Sequence, residues 1–322
     1  MNHIALRMYL REAFLALLAD PAVSEIYCNP DLILRSDGAQ GRREHGSLDE
    51  KDLAAVFQIL ASDAGLIFDA ENPIADFRLP TFLGSGRLNC RLPPVVDKPS
   101  FNLRKRPEHL LLLPELVERQ TISKSAAEYL AQLVVERKSV LIAGPTNSGK
   151  TNFLNALLHA AVERGSAAER WAILEDIPEI RCPAKDHVVA RTGPNVSLWD
   201  LVRATMRFSP DRIVVGELRG PEAYPCLDIA ASGHPGILAT LHAETPLGAL
   251  LRLDRLARLA SPDLPHQHEL IAEVITAVVC LTGGSAGRKV SAIAEVTAWH
   301  PASGYTLVHP PAVKPDEFRK ES

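Results

Sequence analysis

Residues 144–151 carry the spacing of a polyphosphate-binding loop. They read GPTNSGKT and follow directly on the apolar run 141–143. In a loop of this kind the backbone N–H groups point at a β-phosphate, Lys150 adds a positive charge between the β- and γ-phosphates, and the Thr151 hydroxyl reaches a Mg²⁺ ion. Residues 152–163 are apolar at helical spacing, so a helix N-terminus also faces the anion. The pattern predicts nucleotide binding.

Three further apolar runs end in polar groups that can act on a phosphate. Glu175 and Asp176 follow the first run, Glu217 follows the second, and His242 follows the third. Hydrolysis of a γ-phosphate needs a cradle, a metal, an acceptor that orients water and a group that senses the leaving charge. The carboxylates are candidates for the metal's water shell and for the attacking water, and His242 is a candidate donor to the γ-phosphate. Taken singly, each group also has a purely structural explanation. Glu175 and Asp176 suit a helix-capping pair. Glu217 suits a surface carboxylate, and His242 suits a core histidine.

The elements that must position these groups alternate between helix and strand from residue 123 onward. Helical spacing at 126–135, 198–207 and 246–259 is interleaved with apolar runs typical of strands. This alternation predicts an α/β fold with a mostly parallel, doubly wound sheet, whose ligands bind where the strands end. We expect an ATPase domain over 123–310 and a flexible tail over 311–322.

The first third of the chain has a different pattern. Residues 1–106 mix a helix near 5–18 with short β-like runs separated by Asn-Pro, Asp-Gly and Gly-Ser-Gly turns. This predicts a smaller α+β domain. Prolines cluster between 93 and 114, which favours a linker over 107–122.

Composition excludes several classes of protein. A formal net charge of -4 and 5% aromatic residues argue against direct, sequence-specific nucleic-acid binding. Five cysteines without a C-x-x-C pair predict free thiols in a reducing compartment, and no apolar run reaches 18 residues, so we expect no membrane span. The predicted location is cytoplasmic, with peripheral attachment to an inner membrane left open.

The order of the four motifs resembles the type II/type IV secretion ATPase superfamily. GPTNSGKT is followed by ILEDIPEI, PDRIVVGELRG and SGHPGILATLHAET, which match that family's Walker A, Asp box, Walker B and His box. Within it, the chain is most similar to the TrbB-type conjugal-transfer ATPases. The resemblance implies a PAS-like N-terminal domain, a RecA-like P-loop NTPase domain, and a homo-hexameric ring that binds ATP and Mg²⁺ between the two domains.

The resemblance also implies a role for each site residue. Glu217 would be the general base, Glu175 a metal-shell carboxylate and His242 the γ-phosphate sensor, while Arg87 and Arg104 would reach the nucleotide. On the residues alone, Arg104 belongs to a solvated basic run. The implied metal set is Thr151, Glu175 and Asp176. The implied nucleotide-binding set is Gly144, Pro145, Thr146, Asn147, Ser148, Gly149, Lys150, Thr151 and Asn152.

Two residues depart from the common family pattern. Asn147 stands where a glycine is frequent, and Asn152 stands where a second threonine is frequent. Because asparagine tolerates the left-handed conformation better than most residues do, we expect the loop to keep its shape. The four-cysteine zinc insertion of many type II secretion ATPases is absent from this sequence, which argues against that branch.

The sequence therefore favours a hexameric ATPase that powers type IV secretion or conjugal transfer together with inner-membrane components. An ATPase of pilus extension or retraction shares every chemical motif and stays an alternative. A RecA-like nucleic-acid motor has a similar fold but needs a basic groove or stacking aromatic residues. A scaffold that only binds ATP is disfavoured by the presence of Glu217 and His242.

Overall fold

The computed structural model describes residues 12–310, except 39, 81–82, 84–85, 107–108, 194, 235 and 284–286. The chain divides into two compact units, Met1–His109 and Leu110–Ser322, which we call the N-terminal and C-terminal units. No helix in the described ranges combines the length and the apolar character needed to cross a bilayer. The predicted tail, 311–322, and the start of the first predicted helix lie outside the described residues.

In the described residues, the N-terminal unit is a six-stranded antiparallel sheet with two helices. Its strand order is β3-β2-β1-β6-β5-β4. Side chains alternate between buried and exposed along the strands, so that one face of the sheet forms a core. Phe14 and Phe57, one from each helix, pack against Phe101 on that face. The elements are α1 (Glu12–Ala19), β1 (Val23–Cys28), β2 (Ile33–Gly38), β3 (Arg43–Ser47), α2 (Glu50–Asp63), β4 (Ile74–Arg78), β5 (Gly86–Arg91) and β6 (Ser100–Lys105).

The C-terminal unit is built on an eight-stranded sheet with the order β14-β13-β12-β7-β11-β10-β8-β9. The six strands from β12 to β9 in this order run parallel, and β13 and β14 add an antiparallel hairpin at one edge. The strands are β7 (Ser139–Ala143), β8 (Trp171–Glu175), β9 (His187–Arg191), β10 (Arg212–Val215), β11 (Leu238–Leu241), β12 (Ile275–Thr282), β13 (Lys289–His300) and β14 (Gly304–Val308).

Helices cover both faces of this sheet. The helices are α3 (Leu113–Glu118), α4 (Lys124–Val135), α5 (Lys150–Glu163), α6 (Leu198–Thr205), α7 (Ala223–Ala231), α8 (Pro246–Ala257) and α9 (His268–Val274). Helices α3, α4 and α5 form one apolar layer with Val140 and Ile142 of β7. Helices α6 to α9 form a second layer with Leu141 and Ala143 of the same strand. The predicted doubly wound parallel sheet is confirmed.

The segment predicted as a linker, 107–122, is only partly a connector. Leu113–Glu118 form α3, whose Leu113 and Leu116 are buried in the core of the C-terminal unit. Pro114 lies in the first turn of this helix, where its missing N–H costs no hydrogen bond. The proline that suggested a linker therefore begins a helix.

Candidate active site

The strand order brings the four predicted motifs side by side. Strands β7, β11, β10 and β8 are consecutive neighbours and all run parallel. Their carboxyl ends lead into the glycine-rich loop, His242, Glu217 and Glu175, respectively. The backbone N–H of Gly216 donates to Leu174 O at 2.8 Å, which ties the last two strand ends together. These are the positions at which α/β sheets bind ligands.

The loop between β7 and α5 has the backbone of a phosphate cradle. Asn147 adopts a φ of 65° and Gly149 a φ of 91°, both left-handed. Asparagine is one of the few residues that enter this region readily, so the substitution noted in the sequence leaves the loop its shape. At Gly144 an added Cβ would lie 2.5 Å from Ser148 Oγ and 2.7 Å from Leu281 O, so a larger residue does not fit. Helix α5 begins at Lys150 directly after the loop.

Lys150, His242 and Glu217 form a contiguous chain of contacts. The buried Lys150 ammonium donates to Gly144 O at 2.9 Å and Pro145 O at 3.0 Å, and lies 3.3 Å from His242 Nδ1. Because an ammonium can only donate, the contact requires an unprotonated Nδ1. Burial and the charge of Lys150 lower the pKa of His242 in spite of the opposing effect of Glu217, which keeps the imidazole neutral at pH 7. Its remaining proton is on Nε2, 2.9 Å from Glu217 Oε1.

Glu217 is held from its other side by Arg219. The Arg219 guanidinium donates to Glu217 Oε2 at 2.8 Å and to Asp176 Oδ2 at 2.6 Å, so it bridges two of the predicted carboxylates. Burial raises the pKa of Glu217, but Arg219, together with His242 and Lys150, outweighs it and brings the pKa below its ordinary value. The carboxylate is therefore ionised at neutral pH. Its Oε1 atom is buried and, within the described residues, accepts no hydrogen bond in spite of its short distance to His242.

Glu175 is fully buried and supports the loop that follows it. Its Oε2 accepts the backbone N–H groups of Glu179 and Ile180, each at 3.0 Å, and its Oε1 accepts from Arg191 Nε at 3.2 Å. Burial raises the pKa of this carboxyl more than these partners lower it. Asn155 of α5 holds the same loop through Glu179 O and the Arg181 N–H. In this arrangement Glu175 caps its own loop, which is not a helix.

Asn152 uses its side chain on the backbone of Leu111. The amide donates to Leu111 O at 3.2 Å and accepts from Leu111 N at 3.4 Å. Its side chain therefore connects the first turn of α5 to the segment before α3. Thr151, one residue earlier, is half-buried in the same turn.

The predicted arginines lie on the sheet of the N-terminal unit. Arg87 on β5 and Arg104 on β6 are direct register partners, on the face opposite the apolar core. Arg87 makes two 2.7 Å hydrogen bonds to Asp76, whereas Arg104 is exposed. Their approach to a nucleotide stays a prediction.

Sequence reasoning missed three groups that organise the site. Arg219 bridges Glu217 and Asp176, Glu222 accepts the N–H groups of Arg219 and Gly220 at 2.7 and 2.8 Å, and Arg288 donates to Asn147 O at 3.2 Å. For Arg219 the signal was present, since it belongs to the GELRG string two residues after Glu217. Arg288 is 141 residues away from the loop and gave no local signal.

Comparisons with known proteins identify the family. The family described as "Type II/IV secretion system protein" matches residues 43–292. The chain belongs to this family. It is 37% identical to a probable conjugal transfer protein TrbB of Sinorhizobium fredii over 281 residues, 87% of this chain and 85% of that protein. The resemblance seen in the motifs, including its TrbB-type character, is confirmed.

More distant members agree with this placement. A type IV secretion system protein VirB11 of Bartonella quintana is 27% identical over 302 residues, 79% of this chain and 82% of that protein. The crystal structure of the pilus retraction motor PilT with bound ADP superposes with a TM-score of 0.63 at 17% identity, covering 95% of this chain and 82% of that one. At that identity the likeness shows the fold alone. It confirms the predicted RecA-like fold, preceded by a smaller N-terminal domain.

Proposed function

We propose that this protein hydrolyses ATP to power conjugal transfer through a type IV secretion system. Membership of the secretion family and the 37% identity to a conjugal transfer TrbB protein support the process. The pilus retraction motor shares the fold at 17% identity, so it offers less support for the pilus alternative.

The observation that carries the proposal is the position of Glu217 Oε1. Oε1 is buried, accepts no hydrogen bond among the described residues, and lies 2.9 Å from Nε2 of His242, whose strand β11 is next to the strand β7 that leads into the loop. A buried carboxylate oxygen without a partner is costly unless a ligand or water uses it. Because the Glu217 carboxylate is ionised at neutral pH, this oxygen is available to accept a proton from water.

In the proposed reaction, the loop and Lys150 hold the phosphates of ATP. Glu217 orients a water molecule and accepts its proton while the water oxygen bonds to the γ-phosphorus. The bond from that phosphorus to the β–γ bridging oxygen breaks, which gives ADP and inorganic phosphate. The Nε2 proton of His242 is the donor that senses the γ-phosphate.

The donor set also fits a Mg²⁺ ion, which neutralises phosphate charge when bound. Thr151 supplies the hydroxyl next to the loop, and the left-handed Asn147 and Gly149 shape the cradle that precedes it. Asp176 and Glu175 are proposed to act on the ion through its water shell. Their present hydrogen bonds to Arg219 and to the 179–180 backbone keep them at the end of β8, next to the strand β10 that leads to Glu217.

The working form is proposed to be a homo-hexamer at the cytoplasmic side of the inner membrane, docked to secretion-system components. In such a ring Arg104 and Arg87 would complete the nucleotide site. The reducing, ATP-containing compartment agrees with the cysteines, since all five are free thiols.

The test is the substitution Glu217→Gln, which keeps the shape of the side chain and removes the base. We expect the turnover number for ATP to fall by about 10²–10⁴-fold, the usual contribution of a general base. Binding of a fluorescent ATP analogue should stay near the wild-type affinity, because the loop is untouched. Lys150→Ala should weaken binding itself.

A matched control is Glu244→Gln, an exposed carboxylate two residues after His242. It should hydrolyse ATP at the wild-type rate. If Glu217→Gln turns over ATP as fast as wild type does, the assignment of the base is wrong.

A further inference from the structure

A cluster of metal-ligating side chains lies outside the nucleotide site. Asp254 on α8, His266 in the segment before α9, and His268 at the start of α9 converge, with one donor atom of each within 4.8 Å of the others. The cluster lies against the hairpin of β13 and β14, because Trp299 and Tyr305 contact the ring of His268. None of these residues belongs to the four ATPase motifs.

The buried Asp254 is the centre of the cluster. Its Oδ2 lies 2.8 Å from His266 Nδ1, and its Oδ1 accepts the Gln267 N–H at 2.7 Å and lies 4.0 Å from His268 Nδ1. The two imidazole rings are stacked, with centroids 4.9 Å apart and planes within 11°. Both Nδ1 atoms therefore approach the same carboxylate, from residues that are two apart in the chain.

Neighbouring residues hold the side chains of this cluster in place. The Gln267 N–H fixes the carboxylate, and the Tyr305 hydroxyl lies 3.0 Å from His268 Nδ1. His266 is more than half exposed, which gives an ion a path from solvent and leaves a coordination position for water.

We propose that Asp254, His266 and His268 bind a divalent transition-metal ion of the zinc class. Two imidazoles and one carboxylate suit Zn²⁺, Co²⁺ or Ni²⁺, whereas Mg²⁺ and Ca²⁺ prefer oxygen ligands. Zinc bonds of about 2.0–2.2 Å place tetrahedral donors about 3.3 Å apart. The three donor atoms lie within 4.8 Å of one another, so rotation of the side chains can bring them to that distance. The bound ion would join α8 to the start of α9.

The test uses the full-length, tag-free chain, treated with chelator and kept free of nucleotide. Cobalt(II) serves as the probe because its visible absorption reports coordination. We expect one Co²⁺ per chain with a tetrahedral or five-coordinate visible band, displaced by Zn²⁺ and insensitive to excess Mg²⁺. Zinc should also raise the midpoint of thermal unfolding.

The variants are His266→Gln, His268→Gln and the two combined. Glutamine retains a donor for Asp254 but is a poor zinc ligand, so each single change should weaken Co²⁺ binding at least tenfold. The matched control is His300→Gln, an exposed histidine on β13, which should bind like wild type. If the double variant does not fold, the exposed His266→Gln decides alone.

Three outcomes would overturn the proposal. They are the absence of a cobalt band in wild type, equal binding by wild type and His266→Gln, and an intense sulfur-to-cobalt charge-transfer band, which would assign the ion to a cysteine. All three are independent of ATP hydrolysis, so the proposal can fail while the ATPase assignment stands.

Discussion

At the scale of single residues, Arg219 sets the charge state of the candidate base. It is the partner that lowers the pKa of Glu217 most strongly, and it also holds Asp176. Its position depends on Glu222, which caps the backbone of the turn after Glu217. The sequence predicted Glu217 and Asp176 from their strand ends, but the bridge depends on a turn whose geometry no local pattern encodes.

Replacing Arg219 with glutamine should move the acid limb of the pH profile of kcat/KM to higher pH. Burial raises the pKa of Glu217, and Arg219 is the strongest of the groups that lower it. Without Arg219 the pKa rises, so the base becomes protonated at a higher pH than in wild type. Arg219→Lys should restore part of the shift but not the double bridge, since an ammonium lacks the planar fork. Arg207→Gln, an exposed arginine on the same unit, is the control. An unchanged acid limb would show that Arg219 does not tune the base.

At the scale of elements, the sequence predicted the segments that have a clear apolar pattern. The fully buried strands β7, β8, β10 and β11 were recognised, because runs of apolar residues follow each other without interruption. Strand β9 was missed, since it is a half-exposed edge strand.

The helices that the sequence analysis did not predict were missed for different reasons. Helix α9 has seven residues, too few to display a helical period, and α7 contains a proline in its first turn. Helix α2 buries Leu53, Val56, Phe57 and Leu60 at helical spacing, so it was predictable from the sequence, although no helix was predicted there.

A buried arginine fixes the amino-terminal side of the parallel sheet. Arg212 at the start of β10 has a fully buried side chain that lies over the Trp171 ring and donates to Glu169 at 2.7 Å and to the carbonyls of Val134 and Val135. The guanidinium thereby donates to carbonyl groups at the C-terminal end of α4, whose own last turn contains no basic residue. Its role belongs to stability and not to chemistry.

Arg212→Ala should lower the free energy of unfolding of the C-terminal unit by about 3 kcal/mol. Removing one member of a buried pair leaves the other without compensation, and the cost is at the lower end because Arg137 still pairs with Glu169. All three tryptophans lie in this unit, so fluorescence during urea unfolding reports it. Arg170→Ala removes a half-exposed arginine 3.6 Å from Asp186 and should change the value by less than about 0.5 kcal/mol. Equal effects of the two substitutions would contradict this account.

At the scale of the whole molecule, the N-terminal unit presents a row of like charges. Arg104, Arg87 and Arg78 are successive cross-strand partners on the face of the sheet opposite its helices. Like charges directly opposite each other destabilise a sheet, and Asp76 compensates for Arg87. An anionic partner for this face would offset the remaining repulsion. The arginines and the division into two units were predictable from the sequence, but an assembly of separate chains was not.

The ring hypothesis predicts that ATP hydrolysis depends on both protein concentration and Arg104. The specific rate should rise as light scattering detects hexamers, because in this hypothesis Arg104 and Arg87 complete the nucleotide site only in the assembled ring. Arg104→Ala should bind the nucleotide analogue normally, yet lose about 10³-fold in turnover, the lower end of what an arginine finger contributes. Arg43→Ala, an exposed arginine on the edge strand β3 of the same sheet, should behave like wild type. A monomer that hydrolyses ATP equally well and is indifferent to Arg104 would leave the nucleotide site of the C-terminal unit intact but remove the case for a ring motor.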